Sequence, residues 1–241
     1  MATTEPDGGG RERRPREVWD WPQSSLVGGL GPGPRARLLA LGAAVRYPAG
    51  RRLMREGEET TFVLVLLDGV VKATGRTHDE RDVLLAVRMG GDLVGELAAV
   101  DGRPRSATVT TCGPLLARVV RRADFLDCLR RDAVVGQAVN ESIVAKLRVA
   151  NAHRVDFAGC DVPTRLARVL HHIAMTYGER AGAGVVIRWP LTQPELASLA
   201  GAAEPTVHKA LRELRRSGVV STGYRSIRVE SPARLSEIAF A

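Results

Sequence analysis

The chain has 241 residues and a net charge of +8, a basic balance that favours an anionic partner such as nucleic acid. Its three cysteines, Cys112, Cys128 and Cys160, are widely spaced without a CxxC pair, which argues against a disulfide framework, an iron–sulfur cluster or a metal site and for a reduced, cytoplasmic chain. No apolar run approaches the roughly 20 residues of a membrane helix, the N-terminus lacks the apolar core of a secretory signal, and no nucleophile–base pair, metal triad or triphosphate loop marks a catalytic centre.

Residues 1–33 are rich in Gly, Pro and charge of both signs and read as a disordered tail. Arg11, Arg13, Arg14 and Arg16 could reach DNA phosphates, but their interleaving with Glu12 and Glu17 reads first as a solvated segment. Arg35–Ala44 has the composition of a short helix. From Val45 to about Val120 the texture is strand-like: runs rich in Val and Thr are broken by Asp-Gly, Gly-Gly and Gly-Pro at spacings that predict an antiparallel barrel or sandwich. Residues 123–158 contain no Pro and only one Gly before the end, and Val135, Val139, Ile143, Leu147 and Ala150 make one apolar stripe at helical spacing. A helix that long must bury its stripe along its own barrel, against a second copy in a coiled coil, or both.

After Gly159 the pattern predicts a compact helical module. Asp161 and Pro163 open a helix running to about Tyr177, and Thr192–Glu195 fits a capping box. A short helix then ends at Gly201, and Pro205 opens another, which ends near Gly218. In that second helix Val207, Ala210, Leu211 and Leu214 form the inward face, and Thr206, His208, Lys209 and Arg212 are left outside. The spacing is that of a helix-turn-helix, and the Gly223-centred hairpin that follows reads as a wing. Glu204, Pro205, His208 and Lys209 fall at the helix N-terminus, where side chains reach base edges. Thr192, Gln193, Thr206 and Arg212 are placed for phosphates.

A second constellation lies in GELAAVDGRPRSATV. Arg105 can fork onto the oxygens of a phosphate ester. Ser106 and the backbone of Ala107 can complete that cradle, and Glu96 can accept from a ribose hydroxyl. Gly95 lets the backbone approach, and Leu97 completes the Gly-Glu-Leu run. The ordered set resembles the phosphate-binding cassette of cyclic-nucleotide-binding domains, with Ser106 in the bacterial form. Together with PAGRRLMREGE, LLDGVVKATG, the long helix and the winged module, residues 35–235 resemble the cyclic-AMP receptor protein/FNR family of bacterial transcription regulators.

The resemblance implies an α+β architecture. A cyclic-nucleotide-binding β-roll would span residues 34–133, a dimerisation helix 134–158 and a winged helix-turn-helix 159–241. It also implies a homodimeric, sequence-specific DNA-binding regulator under allosteric control by a cyclic nucleotide, cyclic AMP ahead of cyclic GMP. Its partners would be double-stranded DNA, a second copy and RNA polymerase, with no membrane partner. Alignment of the long helix puts Ala150 and Asn151 where the receptor carries hydroxyl residues that touch adenine, and of the two only Asn151 can hydrogen-bond a base. At the DNA-reading positions Glu204, Pro205 and Lys209 stand in place of the receptor's own readers, which implies a different operator. No cysteine precedes Cys112, so the iron–sulfur route of the family's redox branch is not expected. The isolated His78 and His153 read as surface or core residues rather than haem ligands. The alternative with the same fold is a nucleotide-independent DNA-binding regulator whose pocket is vestigial.

Overall fold

The computed structural model describes residues 21–241, and helices and strands follow in the order the sequence suggests. The N-terminal part contains α1 (Leu26–Gly29), α2 (Pro32–Ala40), β1 (Ala43–Tyr47), β2 (Arg52–Met54), β3 (Val63–Asp68), β4 (Val70–Arg76), β5 (Asp82–Met89), β6 (Leu93–Val94), α3 (Glu96–Asp101), β7 (Thr108–Thr111) and β8 (Leu115–Val120). Two helices follow, α4 (Arg122–Arg131) and α5 (Ala133–Gly159). The C-terminal part contains α6 (Val162–Tyr177), β9 (Glu179–Ala181), β10 (Gly184–Ile187), α7 (Gln193–Ala200), α8 (Glu204–Arg216), β11 (Val220–Gly223), β12 (Ser226–Val229) and α9 (Pro232–Phe240).

Eight N-terminal strands form two antiparallel four-stranded sheets, ordered β1-β8-β3-β6 and β2-β7-β4-β5. Between them Met54, Leu64, Leu66, Val71, Val94, Val109, Leu115 and Ala117 make a buried core, because alternate residues of facing strands point inward. The outer face of the first sheet is covered by helices: Val63, Val65 and Leu67 pack with Leu38, Phe125, Val135 and Val139.

The expectation of a disordered tail through residue 33 is corrected for residues 21–33, whereas residues 1–20, with their arginines, lie outside the described residues. Trp21, Leu26, Val27 and Leu30 are buried in the helix-covered core, and the Trp21 indole N–H donates to the Leu67 carbonyl at 2.9 Å. Four apolar side chains in a Gly- and Pro-rich stretch suffice to pin it, although composition alone hid them. The expected Arg35–Ala44 helix instead runs from Pro32 to Ala40, with Pro in the first turn, and Ala43 and Ala44 belong to β1.

The long helical stretch is broken at Asp132, whose extended backbone separates α4 from α5. Its carboxylate caps α5 by accepting from the N–H groups of Val134 and Val135, and it pairs with Arg37. The apolar stripe also divides. Val135 and Val139 are buried on the β-roll and Ile143 is half-buried, whereas Leu147 and Ala150 are exposed. Val144, Leu147 and Val155 form a second, uncovered stripe beyond that point.

The C-terminal part is a winged helix-turn-helix on a four-stranded antiparallel sheet, β11-β12-β10-β9, of which β9 and β10 were not expected from the sequence, nor was α9. The capping box at α7 is complete: the Thr192 hydroxyl accepts from Glu195 N–H, and the Glu195 carboxylate accepts from Thr192 N–H at 2.8 Å. Gly201 closes α7 in the left-handed region at φ 58°, where a Cβ would strike the Phe157 ring at 2.4 Å.

This module is docked on the β-roll. Leu84 and Val87 of β5 share one buried apolar cluster with Leu166, Leu170, Leu196 and Val207 of the module. Beside them Lys72 of β4 donates to both Glu195 carboxylate oxygens at 2.6 and 2.7 Å and to the Pro190 carbonyl at 2.6 Å. At the junction, where only Cys160 and the capping residue Asp161 separate α5 from α6, Arg165 donates to the carbonyls of Phe157, Cys160, Ala200 and Gly201. One guanidinium thus straps the end of α5 to the turn of the helix-turn-helix.

Candidate functional site: a nucleotide-sized cavity and an exposed basic helix

The stretch between β6 and β7 folds back on itself at Gly95 and Gly102, both in the left-handed region, on either side of the six-residue helix α3. At Gly95 (φ 84°) a Cβ would lie 2.5 Å from Arg105 Nη1 and 2.6 Å from the Met54 methyl, so the position has no room for a side chain. The turn brings Glu96 and Arg105 to a common cavity of about 340 Å³, at the small end of the size range of ligand pockets. Gly95, Glu96, Leu97, Arg105, Ser106 and Ala107 all line it, as expected for the cassette.

Arg105 is 3% exposed and does more than face the cavity. Its Nε donates to the Thr60 hydroxyl at 3.0 Å, Nη1 to the Gly95 carbonyl at 2.9 Å and Nη2 to the Phe62 carbonyl at 2.7 Å. The guanidinium also lies over the Phe62 ring, 4.7 Å from its centroid. Burial pushes its pKa down, opposed by the charges of Glu58 and Glu96. A guanidinium has five N–H groups, so these three bonds leave one N–H on Nη1 and one on Nη2 for an anion.

Glu96 is buried and its carboxylate accepts from Lys146 Nζ at 2.8 Å; the same ammonium donates to the Leu93 carbonyl at 2.9 Å. Lys146 lines the cavity and supplies a second cation beside Arg105. Sequence reading missed it because it comes from α5, fifty residues away. The available signal was its place one helical turn before Ala150, on the same face of α5. Ala150 itself lines the cavity. Asn151 does not: it is exposed and lies outside the lining within this chain. One residue along an α-helix turns the side chain by about 100°, carrying Asn151 toward the uncovered stripe of Val144, Leu147 and Val155.

The cavity extends past α5 to Arg88 of β5 and to Val169, His172, Ile173 and Tyr177 of α6, so the docked C-terminal module forms part of its wall. His153 and His172 meet there with ring centroids 6.5 Å apart. Burial is the main cause that lowers both imidazole pKa values. Asp156 opposes it at His153, and the neighbouring His153 and Arg88 reinforce it at His172.

The second site is α8. Val207, Ala210, Leu211 and Leu214 are buried, as the pattern predicts. Glu204, Pro205, Thr206, His208, Lys209 and Arg212 are exposed, along with Thr192, while Gln193 is half-buried at the start of α7. The outward face of α8 carries the cations Lys209, Arg212, Arg215 and Arg216 against the carboxylates Glu204 and Glu213, a positive excess suited to a groove between phosphate rows. Among the described residues no group of His, Cys, Asp and Glu side chains could hold a metal ion, and no helix is long and apolar enough to cross a membrane.

Comparison with known proteins follows the same division. Residues 44–132 match the cyclic nucleotide-binding domain, and residues 164–238 match the Crp-like helix-turn-helix domain. The chain is 28% identical over 217 residues to a CRP-like cAMP-activated global transcriptional regulator of Mycobacterium tuberculosis, covering 90% of this chain and 97% of the relative. It is also 28% identical over 218 residues to the cyclic AMP receptor protein of Thermus thermophilus, with the same coverage of 90% and 97%. Among solved structures FixK2 from Bradyrhizobium japonicum superposes with a TM-score of 0.72 at 19% identity over 83% of this chain and 98% of its own, a likeness of fold.

Arg105 is therefore part of the fold as well as of the cavity wall, and its replacement is expected to show it. Arg105→Leu strands the Gly95 and Phe62 carbonyls and the Thr60 hydroxyl in a buried place, at about 1–3 kcal/mol for each group left unpaired. Urea unfolding should show a fall in stability of that order even without any ligand; an unchanged midpoint would mean that the three bonds are not made in solution.

Proposed function

Because the chain belongs to the Crp/Fnr family of transcription regulators, we propose that it acts as a cytoplasmic homodimer that binds specific DNA under the control of a cyclic nucleotide, cyclic AMP ahead of cyclic GMP. The observation that carries this reading is the convergence of Glu96, Arg105, Ser106 and Lys146 on one cavity of nucleotide size. A cyclic nucleotide offers a singly charged phosphate and a ribose hydroxyl. The two remaining Arg105 N–H groups, Ser106 and the backbone at Ala107 suit the phosphate. Glu96, oriented by Lys146, suits the hydroxyl as an acceptor. The description of the Mycobacterium tuberculosis relative as cAMP-activated supports cyclic AMP as the effector.

The coupling follows from what touches the cavity. Lys146 and Ala150 bring α5 to the ligand, and α5 leads through Cys160 into the DNA-binding module. A ligand that draws the cassette and α5 together sets the angle at that junction. In a dimer paired through Val144, Leu147 and Val155, two α8 helices would then be aimed at successive major grooves, about 34 Å apart. Within α8, Glu204, Pro205, His208 and Lys209 are assigned to base edges, and Thr206 and Arg212, with Thr192 and Gln193 of α7, to phosphates. RNA polymerase is proposed as a further partner. The nucleotide-independent alternative is favoured by one observation, the satisfaction of Arg105 by three protein acceptors, which gives the residue a reason to exist without a ligand.

Cyclic AMP should raise the melting temperature of the purified protein and tighten its hold on a palindromic duplex in gel-shift titrations, with a smaller effect from cyclic GMP. Duplex binding that ignores both nucleotides would establish the alternative. Leu147→Asp, which sets a charge on the uncovered stripe, should convert the dimer to a monomer in light scattering and weaken palindrome binding at least tenfold; a dimer that survives would move the seam elsewhere. Lys209→Ala should relax discrimination between operator and random DNA by about 1–3 kcal/mol. Arg212→Ala should weaken both alike and lower the salt dependence by about one counterion. Equal profiles for the two variants would contradict these roles.

A further inference from the structure

A second cavity, of about 430 Å³, lies against another face of α5, and we propose that it binds a small zwitterion of amino-acid size, the ammonium on Asp92 and the carboxylate on Arg88. Its walls come from the segment at residues 22–29, the turn between β5 and β6, α5 and α6, and its volume is within the range of small-ligand pockets. From α5 it takes Ala138, Ser142, Ala145 and Val149, which recur at spacings of four and three and so share one face of the helix. The uncovered stripe of Val144, Leu147 and Val155 is a different face and contributes nothing to this lining. Arg88, Lys146 and Tyr177 line both this cavity and the nucleotide-sized one, whereas Asp92, Ser142 and Thr176 line only this one of the two.

Two opposite charges face this space without a counter-ion. Asp92 Oδ2 accepts from the Met89 N–H at 3.1 Å, and among the described residues its carboxylate pairs with no cation. Burial pushes its pKa up, opposed first by the charge of Arg88. Arg88 donates from Nη1 to the Val87 carbonyl at 2.7 Å and to the Tyr177 hydroxyl at 3.2 Å, and among the described residues it pairs with no carboxylate. The two side chains flank the turn at Gly90 and Gly91 and feel each other's charge, yet they form no ion pair. Lys146 is committed to Glu96. Sheltered charges left unpaired are costly. A lone anion on Arg88 would face Asp92, and a lone cation on Asp92 would face Arg88, so only a ligand carrying both charges answers both groups. The Tyr177 hydroxyl accepts from Arg88 and keeps its own proton to donate to the ligand's carboxylate. Leu26, Met89 and Val149 offer apolar surface for the rest of the ligand.

The site exists because the C-terminal module is docked. Asp92 and Arg88 belong to the β-roll, whereas Thr176 and Tyr177 belong to α6. A ligand held between them binds the docked arrangement more tightly than any undocked one, and by linkage it stabilises docking. The inference stands apart from the cyclic-nucleotide reading, since the residues that line only this cavity have no part in the phosphate cassette.

The test is thermal unfolding of the full-length protein with each of the common amino acids in turn, at millimolar concentration. At least one should raise the melting temperature by several degrees. The amide and the N-acetyl form of that amino acid, each lacking one charge, should not. Asp92→Asn keeps the acceptor for the Met89 N–H but removes the charge, and Ser142→Leu fills the cavity from α5. Both variants should lose the amino-acid shift and keep the wild-type response to cyclic AMP. No shift with any amino acid would overturn the proposal. So would an equal shift from the amide or the N-acetyl form, or a shift that persists in either variant, because the ligand would then be held by other groups. Loss of the amino-acid and the nucleotide responses together would merge the two cavities into one site and overturn it as well. A protein that answers amino acids but neither cyclic nucleotide would leave this site standing and remove the nucleotide reading alone.

Discussion

A single buried guanidinium organises the N-terminal half of this molecule. Arg105 sits where the two sheets and the cassette meet, and its three bonds join the loop before β3 to the turn that launches α3. Because those bonds fix its plane, the group is already oriented before any anion arrives. An arginine held this way would lose little conformational freedom on binding an anion, an advantage that a surface arginine of equal charge lacks. The closeness of Gly95 follows from the same constraint, since the Arg105 carbonyl bond needs the backbone where a side chain would otherwise stand.

The second organising fact is that the two halves share a hydrophobic core. Leu84 and Val87 belong by chain position to the β-roll and by packing to the C-terminal module. An ion pair at their edge, half-sheltered from water, fixes the register of the two surfaces, and the apolar contact supplies most of the attraction. Separate domains joined by a flexible linker would communicate only through that linker. Here the two parts are also joined by the contact itself, which helps to enclose the cavity.

Much of this was legible in the sequence wherever the relevant residues are close together along it. The cassette is one contiguous stretch, and its lining residues follow from the order Gly-Glu-Leu and Arg-Ser-Ala. The helix-turn-helix announces itself through Thr192 and Glu195, Gly201, Pro205 and the spacing of Val207, Ala210, Leu211 and Leu214, all local signals of capping and periodicity. Long-range partners were not legible. Lys146 meets Glu96 across 50 positions and Lys72 meets Glu195 across 123, and nothing in periodicity links such pairs. The position of Asn151 outside the lining was hidden for a different reason. A correct helix with a correct register still leaves open which adjacent residue faces inward until the neighbouring elements are known. The break at Asp132 escaped notice because it uses neither Gly nor Pro, only an extended acid that caps the helix after it. The segment from Trp21 to Leu30 was misjudged because a few buried side chains outweigh an average composition.

The strap that Arg165 forms across the α5–α6 junction bears on how motion could pass through the molecule. Four carbonyls from two helix ends converge on one planar group, so the end of the long helix and the turn of the helix-turn-helix are gripped in common. With so little chain between the helices, there is no slack to absorb a change in direction. A small rotation of the long rod is therefore geared directly into the swing of the recognition helix, much as a wrist with few joints turns the whole hand.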